Sequence, residues 1–276
     1  MVKNVRLEVI VGVLLFILGN ITAFVYHYHR SGTFIVLGLF LFFKGVFRIV
    51  KKRELLNSKN FFLIYLAFFV GGLITDLVLG VWLTRLWYYP SYDLVDYFIL
   101  YLVGYPSVGF LMIYSFSLVE YALVRKPKET RIDYRNSLIF TWFLMFIGLA
   151  GALFSLLFVS SYKGFLVYTF GAIAVIGLFD LTTLRVRKDN LLERFLTKSL
   201  KYGIIILTFS YLHGLIQELP NLSSKEWIYQ NFPFNNITFL GIPITVFFLG
   251  WIFIFILPYS IFELILTLNK KAKSKT

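Results

Sequence analysis

The chain of 276 residues has no cysteine and only three histidines. Without thiols there is no disulfide framework, no thiol nucleophile and no thiolate metal site. No spacing of histidines and carboxylates gathers three ligands, so neither a metal nor another cofactor is expected. Charge is scarce too: 15% of residues are charged, against 59% apolar and 20% aromatic. No soluble domain keeps that balance. Acidic residues are the scarcer sign, 14 against 27 Lys and Arg, which leaves a net charge of +13. That excess is divided among short segments between apolar runs. The expected partners are therefore membrane lipids, anionic ones above all, and not nucleic acid. The first apolar run lacks a small-residue cleavage site, so it reads as a retained helix rather than a signal peptide.

What is present is a series of eight apolar runs, at 7–28, 33–50, 61–84, 97–124, 137–159, 164–184, 199–219 and 237–268. Each spans roughly 30 Å of hydrocarbon at about 1.5 Å per helical residue. Basic residues alternate between the connections. With the N-terminus inside, 22 Lys and Arg fall on the cytoplasmic side, while Arg30, Arg85, Lys163 and Lys225 fall one to each outer loop and Lys44 lies within the second run. The positive-inside rule then places both termini in the cytoplasm, for a prokaryotic plasma membrane. The expected class is an all-α polytopic membrane protein of eight transmembrane helices.

The sequence also echoes itself. Gly72-Leu73-Ile74-Thr75-Asp76-Leu77 returns as Gly214-Leu215-Ile216-Gln217-Glu218-Leu219, and Trp87-Tyr88-Tyr89 as Trp227-Ile228-Tyr229. Gly104-Tyr105-Pro106 returns as Gly241-Ile242-Pro243, and Tyr114-Ser115 with Glu120 as Tyr259-Ser260 with Glu263. The basic run from Phe47 to Leu56 is echoed from Leu184 to Leu192. Five echoes in one order indicate a tandem duplication, with halves at 1–127 and 128–276 joined by the basic loop at 125–131. Four helices return the chain to its starting side, so the halves are expected to be parallel and related by an axis along the membrane normal.

Function is sought among polar groups that hydrocarbon does not tolerate. A charge at the bilayer centre costs from about 3 to more than 10 kcal/mol, so such groups face protein or water. Six candidates fall within the runs: Asp76, Glu218, Lys44, Asp180, Glu120 and Glu263. The last four lie near cytoplasmic ends, where snorkelling is cheap; Lys44 and Asp180 are matched as an ion pair between the second and sixth helices. Asp76 and Glu218 occupy equivalent outer positions and form a pair. Each reads either as a neutral carboxyl gluing helices together or as an acid able to deliver a proton in a dry site. His213 and Gln217 are expected beside Glu218, while His27 and His29 with Tyr26 and Tyr28 read as an interfacial aromatic patch. In both halves a Trp-x-Tyr segment follows the acid by about ten residues, giving Trp87, Tyr89, Trp227 and Tyr229. Such rings are interfacial anchors or the cap of a cavity, where aromatic faces stabilise a carbocation.

An acid, a Trp-x-Tyr loop and then a Gly-x-Pro opening an apolar helix, present twice, resembles the membrane-embedded lycopene cyclase domains and the related carotenoid hydratases. The matching stretches are Leu73 to Phe110 and Leu215 to Trp251, about a quarter of the chain. Gly241-Ile242-Pro243-Ile244-Thr245-Val246 and the later Trp251 lie closer to the hydratase style. The resemblance implies proton-initiated cyclisation or hydration at a carotenoid or other polyisoprenoid double bond, without an obligatory metal. Asp76 and Glu218 would be the catalytic acids, and Trp87, Tyr89, Trp227, Tyr229, His213 and Gln217 the substrate-binding groups. Cyclase domains carry two glutamates just after the Pro, where this chain has Ser107-Val108 and Ile244-Thr245. A non-enzymatic transporter, or a lipid-handling or structural subunit, is the alternative that the same polar groups allow.

Overall fold

The structure is a computed structural model and describes residues 2–123, 134–187 and 200–273. Among these are eight helical rods. They are α1 (Val2–Phe24), α2 (Ser31–Lys51) and α3 (Ser58–Gly72), which continues as a π-helix through Leu73–Leu83. Next come α4, composed of Leu94–Ile99, a π-helical stretch Leu100–Gly104 and Tyr105–Leu123, then α5 (Tyr134–Phe158), α6 (Lys163–Arg187) and α7 (Leu200–Ser224). The last is α8, a π-helical Val246–Gly250 followed by Trp251–Lys273. Seven of the eight are long and apolar enough to cross a membrane, which makes this a polytopic helical membrane protein. The eighth, α7, falls outside that group. It carries Ser210, His213, Glu218, Asn221 and Ser224, and it buries all five against protein. The expected join at 125–131 lies outside the described residues.

Two helical hairpins, α1 with α2 and α5 with α6, are closed by glycines. A Cβ on Gly12 would lie 2.5 Å from the Phe42 nitrogen, and one on Gly38 2.5 Å from that of Phe16. In the second hairpin a Cβ on Gly148 would meet the Ala174 nitrogen at 2.4 Å, and one on Gly177 that of Met145 at 2.8 Å. Such contact between backbones is how helices associate in lipid, where burying apolar surface supplies no drive. The outward faces of α1 and α5 stay apolar and open, with Leu14 60% and Phe146 67% exposed. Between the hairpins α2, α3, α4, α7 and α8 share an aromatic core of Phe40, Phe68, Phe110, Tyr114, Phe116, Phe209, Phe255 and Tyr259.

At one end the four weakly basic loops converge. The Gly32 nitrogen donates to Glu226 at 2.9 Å, Asn231 Nδ2 to the Arg85 carbonyl at 2.8 Å, and Gly164 packs on the Thr84 carbonyl. There β1 (Trp87–Tyr88) pairs antiparallel with β2 (Ile228–Tyr229), in the register Trp87 to Tyr229 and Tyr88 to Ile228. The apolar run expected to be helical from 237 is not helical there. It forms a hairpin of β3 (Thr238–Phe239) and β4 (Ile242–Pro243), because Leu240 and Gly241 turn the chain with φ of 52° and 79° and Pro243 has no N–H to donate into a helix. Helix α8 follows this hairpin, and the two Gly-x-Pro segments do not open helices as expected: Gly104-Tyr105-Pro106 lies inside α4, and Gly241-Ile242-Pro243 lies in the hairpin.

Candidate functional site

Asp76 projects from the π-helical end of α3 and is 2% exposed. Its Oδ1 accepts from Trp87 Nε1 at 2.5 Å and from the Tyr89 hydroxyl at 2.9 Å, and its Oδ2 from the Tyr101 hydroxyl at 2.5 Å. The local fold brings these rings in. The Thr84 nitrogen returns to the Leu79 carbonyl and the Leu86 nitrogen to that of Gly80, while Arg85 takes φ 51°. That reversal lays the Trp87 indole on Gly80, where a Cβ would sit 2.1 Å from Cζ2. Tyr105 likewise lies on Gly72. Indole N–H can only donate, so Oδ1 is held as an acceptor, and a proton carried by this acid resides at Oδ2 against Tyr101.

Glu218 on α7 is 2% exposed as well. Its Oε1 accepts from the Tyr229 hydroxyl, which itself receives Trp227 Nε1 at 2.9 Å. The Asn221 side chain holds the Trp227 nitrogen at 2.8 Å. Trp251, fully buried, packs its indole on Gly214 as Tyr105 packs on Gly72. The difference from Asp76 lies in the second oxygen. Glu218 Oε2 is buried with no partner within hydrogen-bond distance, and the buried Trp251 indole N–H, equally unpaired, is the donor set against this carboxyl. This acid also lines an open cavity of about 190 Å³, with Asn221, Lys225, Trp227, Tyr229, Asn235 and Pro243 among its walls.

The β1–β2 ribbon covers both acids, since Trp87, bonded to Asp76, pairs in register with Tyr229, bonded to Glu218. Asp76 and Glu218 therefore sit at the same end of the molecule, although only Glu218 opens into the cavity. Phe232 stacks on Trp87 and meets Tyr229 edge-on, filling the space under the ribbon.

The remaining expected residues scatter. His213 is buried against α4, with Nδ1 donating to the Phe209 carbonyl at 2.9 Å and Nε2 3.3 Å from Ser115 Oγ. Gln217 donates to the His213 carbonyl at 3.3 Å. Neither lines the Glu218 cavity: five residues of helix turn His213 well away from Glu218. Lys44 and Asp180 do not pair. Lys44 donates to Glu8 at 3.0 Å, a nearer carboxylate on the neighbouring α1, and Asp180 accepts from Ser260 at 2.9 Å. Glu263 lies 3.9 Å from Arg187, and Glu120 is half-buried on α4. Among the described residues, no cluster of three or more metal-binding side chains occurs.

One cluster has no counterpart in the sequence reading. Glu226, 2% exposed, accepts from the Gly32 nitrogen and from the Tyr92 hydroxyl. Beside it Asp96 caps α4 reciprocally with Asp93 and takes Arg30 and His29. Burial pushes the Glu226 carboxyl up to about 7 and the Tyr92 hydroxyl well above its usual range. The visible signal was an acid one residue before Trp227; the equivalent position before Trp87 is Leu86, so comparing the halves passes over it. No protein-family model, curated protein or solved structure matches this chain.

Proposed function

We propose that this protein is a membrane enzyme that adds a proton to a double bond of a carotenoid or other polyisoprenoid, with Glu218 as the acid. The observation that carries the reading is that Glu218, unlike Asp76, is a buried carboxyl in the wall of an open cavity that Trp227 and Tyr229 also line. Transfer of the Glu218 proton to one alkene carbon leaves a cation on the other. The cation is stabilised by the faces of Trp227 and Tyr229; a second double bond closing a ring moves the charge to a new carbon, which then sheds an adjacent proton, whereas water adding instead sheds one of its own. The proton released in that last step returns to the carboxylate.

The proposal includes the architecture: eight crossings as two parallel four-helix repeats, with both termini cytoplasmic. Several correspondences support the repeat. Tyr65 donates to the Leu102 carbonyl 37 residues on, and Tyr211 to that of Phe248 over the same interval, about one helical turn out of the register that matches Asp76 with Glu218. Five-residue π-helical stretches open at Leu100 and at Val246. A two-fold axis through the Tyr88–Ile228 pair exchanges Trp87 with Trp227 and Tyr89 with Tyr229, as the echoed segments require.

Lipid extracts of cells carrying Glu218→Gln test the chemistry. The amide keeps the shape and removes the transferable proton, so product formation is expected to fall about 10²–10⁴-fold at normal expression. Asp76→Asn, whose neighbours saturate its carboxyl, is expected to retain most of the product. An unaltered isoprenoid profile with Glu218→Gln passes the protein to the lipid-handling class.

A further inference from the structure

The segment from Phe232 to Thr245 sits between α7 and α8, where the first half has only the short stretch from Tyr89 to Asp93 before α4. It is knit into one unit: the Ile237 nitrogen donates to Phe234, the Ile244 nitrogen to Ile237, and Thr245 Oγ1 to Pro233, at 2.9, 2.9 and 3.0 Å. The unit is uncharged, since no Lys, Arg, Asp or Glu occurs between Glu226 and Glu263. Its outer side is apolar apart from the exposed Asn236, with Phe234 60%, Ile237 48%, Phe239 50% and Leu240 57% exposed. Its inner side, through Thr238, Gly241, Ile242 and Pro243, is a wall of the Glu218 cavity.

The backbone adds a second observation. Phe234 and Leu240 hold φ of 55° and 52°, a left-handed conformation that costs such residues about 1–2 kcal/mol and that Asn or Gly would adopt more cheaply. The same backbone occurs at single non-glycine residues of other loops, among them Tyr162 and Lys225; here it accompanies an exposed aromatic ring and an exposed leucine. Strand β4 ends at Pro243, and the membrane-crossing stretch of α8 begins at Val246, so the hairpin lies at the boundary of the hydrocarbon. An uncharged, aromatic, exposed apolar element at that depth matches the interface between headgroups and acyl chains.

We infer that the β3–β4 hairpin is embedded in that interface and forms the sill across which the end of a lipid-dissolved chain passes sideways from the leaflet into the Glu218 cavity. The substrate class rests on the function proposed above; the embedding does not. A cavity of about 190 Å³ takes the end of a polyisoprenoid, and the rest of such a molecule stays in the leaflet beside the exposed faces of Phe239 and Leu240.

Because the chain has no cysteine, single cysteines report without interference. Full-length Leu240→Cys and, separately, Phe239→Cys are labelled with an environment-sensitive fluorophore and reconstituted in phosphatidylcholine vesicles, with the exposed Ser91→Cys as reference. Quenching by lipids brominated on the acyl chains is expected to be at least about twofold stronger at 239 and 240 than at 91, with the opposite order for aqueous iodide. Equal iodide quenching at all three positions and no response to brominated lipid would overturn the inference. So would cross-linking between copies through Leu240→Cys in place of lipid quenching, which assigns the face to self-association. In turnover assays Leu240→Asp is expected to raise the apparent KM for bilayer-dissolved substrate at unchanged kcat. The quenching is read without turnover, so it stands or falls separately from the acid role of Glu218.

Discussion

Two carboxyls in matching places are held differently, because different groups surround their second oxygen. Asp76 is closed by donors on both oxygens, so it clamps the ribbon and α4 onto α3. Replacing it with leucine orphans Trp87 Nε1 and the Tyr89 and Tyr101 hydroxyls, at about 1–3 kcal/mol for each group left unpaired. Asp76→Leu should therefore lower the melting temperature in detergent far more than Asp76→Asn, which still accepts from Trp87 and Tyr89; equal losses would argue against the clamp. Glu226 supplies a second residue-scale test. Its carboxyl stands at about 7 in the folded protein against 4.5 ordinarily, because burial disfavours its charge. The folded state thus holds this proton more tightly than the unfolded chain. Its contribution is full below pH 4.5, declines as pH rises and is lost above about 7, a span corresponding to about 3 kcal/mol. The groups facing it are Tyr92 and Asp96, the latter with Arg30 and His29. Melting temperatures of Glu226→Gln and the parent, followed from pH 4 to 8, should differ by an amount that changes across this window. Parallel curves would remove Glu226 as the titrating group.

At the scale of elements, glycines decide where aromatic rings seat. Gly72 and Gly214 were legible in the sequence as repeated letters; their role is to receive Tyr105 and Trp251, the rings that flank the two acids. A Cβ on Gly214 would lie 2.0 Å from Trp251 Cδ2, and the indole is fully buried with no space to retreat. Overpacking of this kind costs about 1–3 kcal/mol. Gly214→Ala should thus destabilise the protein and also displace Trp251 from Glu218, visible as a shift in tryptophan emission, whereas alanine at Gly171, which faces open space, should change neither. The π-helical stretches were not legible. Their wider winding appears in no residue pattern and arises where α3, α4 and α8 adjust their faces to the ribbon and core.

For the whole molecule, the loops that meet around Glu226 and the ribbon are the weakly basic ones, as alternating crossings demand. Cysteines at the exposed Ser91 and Ser161 should react with an impermeant reagent added outside intact cells, while one at the exposed Ser58 should stay protected. Labelling of Ser58 with Ser91 protected would invert the topology.

Long apolar runs, basic alternation and scarce acids are properties of composition and order, so the amino-acid sequence alone determined a polytopic helical membrane protein. It also singled out Asp76 and Glu218, because a buried carboxyl in hydrocarbon is conspicuous at any site. Trp87, Tyr89 and Tyr229, legible as repeated aromatics, do lie against those acids. His213 and Gln217 seemed near Glu218 only because they are near in sequence, and helical rotation carries them to other neighbours. Tertiary structure decided the rest: how the second oxygen of each acid is surrounded, that Glu226 gathers three loops, and that residues 238–243 fold as a hairpin at the cavity wall. Those outcomes depend on contacts between segments far apart in the chain, and no local pattern of residue types records which segments will meet.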